Sequence, residues 1–272
     1  MKLTRQVAFS SGHRYWLPHL SEAGNRALFG AWASPYNHGH NYVLEVTVSG
    51  RVDDRHGMVV NIKDIDDVLK DRVVSRYDQK SLNDEVDEFK GRSTSTEFIA
   101  LTIRDILKPV LPNEVRLENV RVYENPLLFV DAGEGEEVRL TRVYEFAASH
   151  RLDVPSLSLD ENVGLFGKCN NAAGHGHNYI LEVTVSGTPD ATTGMIADLG
   201  TIDKVVEDEV VGRYDHKHLN EDIPEFKGVN PTTEVVTRMI WRRLNGKLPA
   251  MLQNVLVRET ARNIFEYSGE DE

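Results

Sequence analysis

Read for hydrophobic and polar positions, the chain moves from a strand-like period to a helical one and back, then does the same again. Residues 41–50, NYVLEVTVSG, place apolar side chains at alternate positions, and residues 178–187, NYILEVTVSG, repeat the pattern. Side chains two apart share one face of a strand, so both runs predict strands with one buried face. A Gly-Met pair follows each run. Asn61 or Asp198 then stands as the cap of an amphipathic helix carrying Ile62, Ile65 and Leu69, or Ile202, Val205 and Val206. A second helix is predicted from near Glu97 and Glu234, with apolar residues four apart: Ile99, Ile103 and Leu107, then Val236, Ile240 and Leu244. Two short strands close each set. The order strand–strand–helix–helix–strand–strand predicts an α+β fold, a four-stranded antiparallel sheet with both helices on one face. The sheet leaves an open edge, which invites assembly.

The two sets are copies at a constant offset of 137 residues. FSSGHR (Phe9 to Arg14) matches FAASHR (Phe146 to Arg151), LFGAW matches LFGKC, and HGMVVNI matches TGMIADL. RYDQKSLND matches RYDHKHLNE, EFKGRSTSTE matches EFKGVNPTTE, and after a slip of two VRVYEN matches VLVRET. Solenoids use shorter and more numerous repeats, so this period predicts two tandem domains, 1–131 and 138–272. The acidic, Gly-rich residues 132–137 between them read as a linker.

Composition narrows the setting. The 272 residues are 27% charged and 40% hydrophobic, as in soluble globular domains, and no apolar run reaches the ~20 residues of a membrane helix. The N-terminal MKLTRQVAFSSGHRYW lacks the apolar core and cleavage site of a signal peptide. A single cysteine excludes an intrachain disulfide and makes the cytoplasm the expected compartment. The net charge of -12 argues against nucleic-acid binding through a basic surface, while a small anionic substrate remains open to a local site.

Six of the ten histidines fall at repeated positions: His13, His38 and His40, then His150, His175 and His177. In an extended segment both histidines of His-Gly-His point to one face, and the glycine lets the backbone come close. One His-Gly-His alone is an ordinary strand entry. A third histidine at the same offset in both copies points instead to three imidazole ligands with an open fourth position, the set a catalytic zinc ion uses, although iron or nickel also accepts it. His19, His56 and His218 have no repeated partner and read as surface groups.

Cys169 stands six residues before His175, near enough along a loop to serve as base or nucleophile beside a cation. By itself it also fits a small buried apolar residue. Asp215-His216 pairs a carboxylate with an imidazole, able to orient and charge a thiolate. The first copy keeps Asp78 but has Gln79 for His216 and Trp32 for Cys169, so the acid–base groups change together while the histidine triplet stays. Trp32 is bulky enough to close the pocket that Cys169 leaves open. Thr232-Thr233-Glu234 reads equally as a helix cap or as part of a site, and Glu259 as a surface strand residue or a pocket carboxylate. A carboxylate in a pocket suits the paired N–H donors of a guanine-like or pterin ring.

Together SHR, CNN before GHGHNY, the Gly-Met turn, YDHKHLN, PTTE and the final RET resemble the 6-pyruvoyltetrahydropterin synthase family, which includes the 6-carboxytetrahydropterin synthases of the queuosine pathway. The resemblance covers nearly all of residues 138–268 and, with departures at Trp32, Gln79 and Ser93-Thr94, residues 1–131. It implies tunnelling-fold units joined edge to edge into stacked barrels. It implies zinc held by His150, His175 and His177, with Cys169 as general base and Asp215 and His216 in support, often from a neighbouring subunit. The pterin would be anchored by Thr232, Thr233, Glu234 and Glu259. The implied reaction is the loss of triphosphate from 7,8-dihydroneopterin triphosphate on the route to tetrahydrobiopterin, with no organic cofactor.

Five residues separate Cys169 from His175, where the carboxy type more often has three, so the pyruvoyl type is expected. The rival outside the enzymes is a non-catalytic pterin- or metal-binding protein, which suits the first copy better than the second. Barrels of three units imply a homotrimer with one unit of each chain in each ring; a four-unit ring made by two chains is the alternative.

Overall fold

In a computed structural model, which describes residues 1–270, the chain forms two compact units. Unit 1 contains β1 (Lys2–His13), α1 (Glu22–Phe29), β2 (His38–Gly50), α2 (Ile62–Leu69) and α3 (Ser75–Tyr77). It continues with β3 (Lys80–Ser81), α4 (Leu82–Glu85), α5 (Thr96–Leu107), β4 (Val115–Asn125) and β5 (Leu128–Ala132). The second repeat gives β6 (Val138–His150), α6 (Leu159–Phe166), β7 (His175–Gly187), α7 (Leu199–Val206) and α8 (Gly212–Tyr214). After these come β8 (Lys217–His218), α9 (Leu219–Asp222), α10 (Thr233–Leu244), β9 (Met251–Thr260) and β10 (Asn263–Tyr267). Packing does not follow the repeat strictly: Ser186–Asp198, second-repeat residues by sequence, belong to unit 1.

In unit 1 the strand order is β5-β4-β2-β1-β3, antiparallel throughout except for the two residues of β3, which run parallel to β1. In unit 2 the order is β10-β9-β7-β6, and β8 pairs with β6 as β3 does with β1. The alternation decides which face is dry. Tyr42, Leu44, Val46 and Val48 are fully buried, as are Tyr179, Leu181, Val183 and Val185 to within 1%, while their intervening neighbours are not. With one buried face per sheet, both long helices must cover that face. They do so through the expected residues: Ile99, Ile103 and Leu107 in α5, and Val236, Ile240 and Leu244 in α10, are all fully buried.

The first predicted helix needs correction. Asn61 does cap α2, its side chain accepting from the Lys63 N–H, but Ile62 is 46% exposed and only Ile65 and Leu69 reach the core. Both α2 and α7 run on into a π-turn, Lys70–Val74 and Glu207–Val211, that widens the helix by one residue before α3 and α8. The periodicity also missed α1 and α6, whose buried side chains include Asn25 and Asn162. These amides satisfy loop backbone that would otherwise be orphaned: Asn25 accepts from Leu17 N at 2.7 Å and donates to Leu17 O at 3.0 Å.

Candidate active site

Strand register builds the histidine clusters. His13 lies opposite His38 on the β1–β2 pair, and His40 is two residues further on the same face. Ring centroids of His13, His38 and His40 are 4.4, 5.1 and 5.0 Å apart; those of His150, His175 and His177 are 4.6, 5.4 and 4.9 Å apart. In each triplet one nitrogen per ring lies within 4.8 Å of the others. A backbone carbonyl fixes the tautomer of the most buried ring: Nδ1 of His13 donates to Thr94 O at 2.9 Å, and Nδ1 of His150 to Pro231 O at 2.8 Å. That leaves each Nε2 with its lone pair turned into the cluster.

Burial disfavours the charged form of four of these rings. Burial pushes the His13 pKa down to about 3, helped by the field of His38 and His40. Burial, then neighbouring imidazoles, likewise lowers His38, His150 and His175. Nε2 of His13, His40 and His177 is buried and has no hydrogen-bond partner. Buried polar atoms rarely stay unsatisfied, and three converging neutral imidazoles are a metal donor set. Both triplets can therefore hold a metal ion.

A carboxylate stands beside each triplet. Glu259 Oε1 is 3.8 Å from Nε2 of both His150 and His177; it accepts from Thr233 Oγ1 at 2.6 Å, while Oε2 accepts from Asn263 Nδ2 at 3.0 Å. Burial raises its pKa, but these donors and the histidines outweigh burial and leave it below the ordinary value. Unit 1 repeats the arrangement with Glu124, whose Oε2 accepts from Thr96 Oγ1 at 2.6 Å and whose Oε1 is 3.5 Å from His40 Nε2. Sequence reasoning missed Glu124. The signal was the VYEN–VRET match, obscured by its slip of two residues. Thr232 is the α10 cap, accepting from Val235 N at 3.5 Å, and Glu234 is exposed.

Cys169 is half-buried on the 3-10 turn Gly167–Asn170 that follows α6, its carbonyl accepting from Leu152 N at 2.9 Å. Trp32, on the matching turn of unit 1, is 41% exposed rather than buried as a plug. Asp215 and His216 lie elsewhere. Asp215 Oδ1 accepts from Ala147 N at 2.7 Å, His216 N donates to Ala147 O at 2.6 Å, and His216 Nδ1 meets Asp215 Oδ2 at 2.7 Å. Those bonds, the Ala147 donor foremost, hold the Asp215 carboxyl below its ordinary pKa. The pair thus brackets the outer edge of β6. It opens on a depression whose lining includes Ala147, Ser149, Asn178 and His216, together with His177 of the triplet.

The dyad turn survives in unit 1 without its chemistry. Asp78 Oδ1 accepts from Ser10 N at 2.7 Å and Gln79 N donates to Ser10 O at 2.7 Å. Gln79 and His216 have left-handed φ of 58° and 57°, the two non-glycine positive values among the described residues. His218 is not the surface group its sequence position implied. It is half-buried, and its Nε2 occupies the space above Gly174, where an added Cβ would come within 2.6 Å. His19 is exposed, and His56 is 44% exposed beside Asp53.

The family model described as 6-pyruvoyl tetrahydropterin synthase matches twice, at residues 2–134 and 139–270. A human protein named 6-pyruvoyl tetrahydrobiopterin synthase is 46% identical over 135 residues, covering 49% of this chain and 93% of its own. A Rickettsia bellii 6-carboxy-5,6,7,8-tetrahydropterin synthase is 27% identical over 148 residues, 48% of this chain and 99% of its own. The solved structure of the Caenorhabditis elegans 6-pyruvoyl tetrahydropterin synthase aligns over 49% of this chain and 96% of its own, at 40% identity and a TM-score of 0.47. Two complete matches in tandem account for nearly every residue, and the chain belongs to the 6-pyruvoyl tetrahydropterin synthase family.

Proposed function

We propose that the second unit is a lyase that converts 7,8-dihydroneopterin triphosphate to 6-pyruvoyltetrahydropterin with loss of triphosphate. The observation that carries this reading is the Glu259 oxygen 3.8 Å from two ring nitrogens of the His150, His175 and His177 cluster. It supports a ligand-orienting role for this carboxylate beside a metal donor set. Thr233 and Asn263 hold its two oxygens, and a carboxylate of this kind suits the paired N–H donors of a pterin. Thr232, Thr233 and Glu234 form the adjoining wall at the start of α10.

Zinc is the ion proposed for the two triplets, on the ground of all-imidazole ligation. When bound, it would polarise the oxygens of the substrate side chain. Cys169 serves as the general base for the side-chain protons, and Asp215 orients His216 to support it. As the family resemblance implies, the Asp215-His216 that serves a given Cys169 comes from another copy of the chain. The first unit keeps the triplet and the Thr96–Glu124 pair but has Trp32 and Gln79. It is proposed as a metal- and ligand-competent unit without turnover.

Incubating the pure protein with dihydroneopterin triphosphate and identifying the pterin tests this reading. The expected products are 6-pyruvoyltetrahydropterin and inorganic triphosphate; a 6-carboxy product would assign the chain to the queuosine-type activity instead.

A further inference from the structure

The three histidines of the second triplet are not held alike. Nδ1 of His150 donates to Pro231 O at 2.8 Å, and Nε2 of His177 lies 3.8 Å from Glu259 Oε1. His175 has no such support: its Nδ1 is buried with no hydrogen-bond partner among the described residues. A metal-ligating histidine is ordinarily aimed by a hydrogen bond from its second ring nitrogen. Lacking one, His175 depends on the backbone that delivers it.

By itself that backbone is a weak support. The residue before His175 is Gly174, in the left-handed region at φ +72°, and glycine has the most freedom to leave any one conformation. The turn that reaches it is closed locally, Gly174 N donating to Asn171 O at 2.8 Å and Asn171 Nδ2 to Gly174 O at 3.3 Å. Two groups outside the turn confine the glycine. A Cβ added there would lie 2.6 Å from His218 Nε2 and 3.0 Å from His150 O. Gly174 is thus clamped between the imidazole of His218 and the backbone of another histidine of the triplet. His218 is itself fixed: it pairs with Ser149 of β6, and its N–H donates to Asp222 Oδ2 at 2.8 Å. Its Nδ1 is buried without a partner, so that side of the ring contributes shape and no hydrogen bond.

Unit 1 fills the same space by other means. The counterparts of Gly174 and His218, 137 positions earlier, are Asn37 and Ser81. Asn37 Nδ2 donates to Ser81 Oγ at 2.8 Å, Asn37 Oδ1 accepts from Arg14 Nη1 at 2.8 Å, and Asn37 lies outside the left-handed region. One unit ties down the residue before its His-Gly-His run by hydrogen bonds. The other leaves that residue bare and covers it with a ring. Two unlike solutions at one position point to a shared task, fixing the entry to the strand that carries the metal ligands.

We propose that His218 is a positioning residue for the second triplet: its ring holds Gly174 against the His150 carbonyl and so aims His175 at the metal ion. It touches no reacting atom in this role. The proposal rests on metal binding by this triplet, as proposed above, and is independent of the reaction catalysed.

Zinc titration against a competing chelator tests this on the full chain carrying His38→Ala and His40→Ala, so that only the second triplet can bind. Adding His218→Ala should raise the Kd for zinc roughly 10–100-fold, the range seen when groups that orient metal ligands are removed, with the circular dichroism spectrum unchanged. His218→Ser, which installs the residue unit 1 carries at this position, should weaken binding in the same way. His218→Phe keeps a ring and lacks both nitrogens, and should restore tight binding. An apo-protein that melts lower while its zinc Kd is unchanged would make His218 a packing residue alone and overturn the proposal. Equal loss of affinity in His218→Phe and His218→Ala would show that a ring nitrogen acts, and would overturn it too. No zinc binding before His218 is changed would remove the metal assignment and the proposal together.

Discussion

At the scale of the residue, catalysis and anchoring separate cleanly. Cys169→Ala should lower kcat by roughly 10²–10⁴-fold, the usual worth of a positioned base, with little change in metal content. Full turnover by that variant would remove Cys169 from its role. Glu97 gives a second, independent prediction. Burial raises its pKa to about 7 from an ordinary 4.5, its N–H donors only partly offsetting the cost. The folded chain thus holds a proton that the unfolded chain has lost. Its contribution to stability is full below about pH 4.5 and falls as pH rises through about 7, by ~3 kcal/mol in all. Glu97→Gln should flatten this dependence, so its melting temperature should gain on the parent as pH is raised from about 5 to about 8. A parallel fall in both proteins would place the cost elsewhere. The histidine triplets were legible in the sequence because strand alternation fixes where i and i+2 point. Glu124 and the half-buried His218 were not, since one is displaced by an insertion and the other has no repeated partner.

At the scale of the element, strands and long helices could be read from period alone, because each has one wet and one dry face. The short α1 and α6 could not: their folding rests on buried Asn25 and Asn162 bonding loop carbonyls, which leaves no apolar period. The β1–β2 pair and its counterpart β6–β7 carry intact triplets, so metal analysis should find two zinc ions per chain. One ion, lost from unit 1, would mean that His13, His38 and His40 do not suffice. The Gly194–Ile196 segment makes a stability prediction. Met195 packs with Tyr15, Leu17 and Phe29, so Met195→Ala should cost about 2–5 kcal/mol, as core truncations do, whereas Met58→Ala, at an exposed position, should stay within about 0.5 kcal/mol. Denaturant unfolding of the two variants at low protein concentration measures the contrast.

At the scale of the whole molecule, the duplication was plain in the sequence, but its packing was not. A segment of one repeat belongs by contact to the unit built by the other, and no periodicity reports that. Tiling with like units implies three chains. A four-unit ring made by two chains instead gives solution masses of two chains or of four, and light scattering distinguishes the cases. A three-chain species would speak for rings of like units.

The left-handed turn at Gln79 has a further consequence. An L-residue held there costs roughly 1–2 kcal/mol, and the first repeat still bears that cost although the imidazole it would position is gone. Gln79→Gly should accordingly stabilise unit 1. The same turn keeps an Asp-His dyad within short evolutionary reach: its backbone already presents position 79 as it presents position 216. Recovering a dyad there needs a change of side chain and no change of fold.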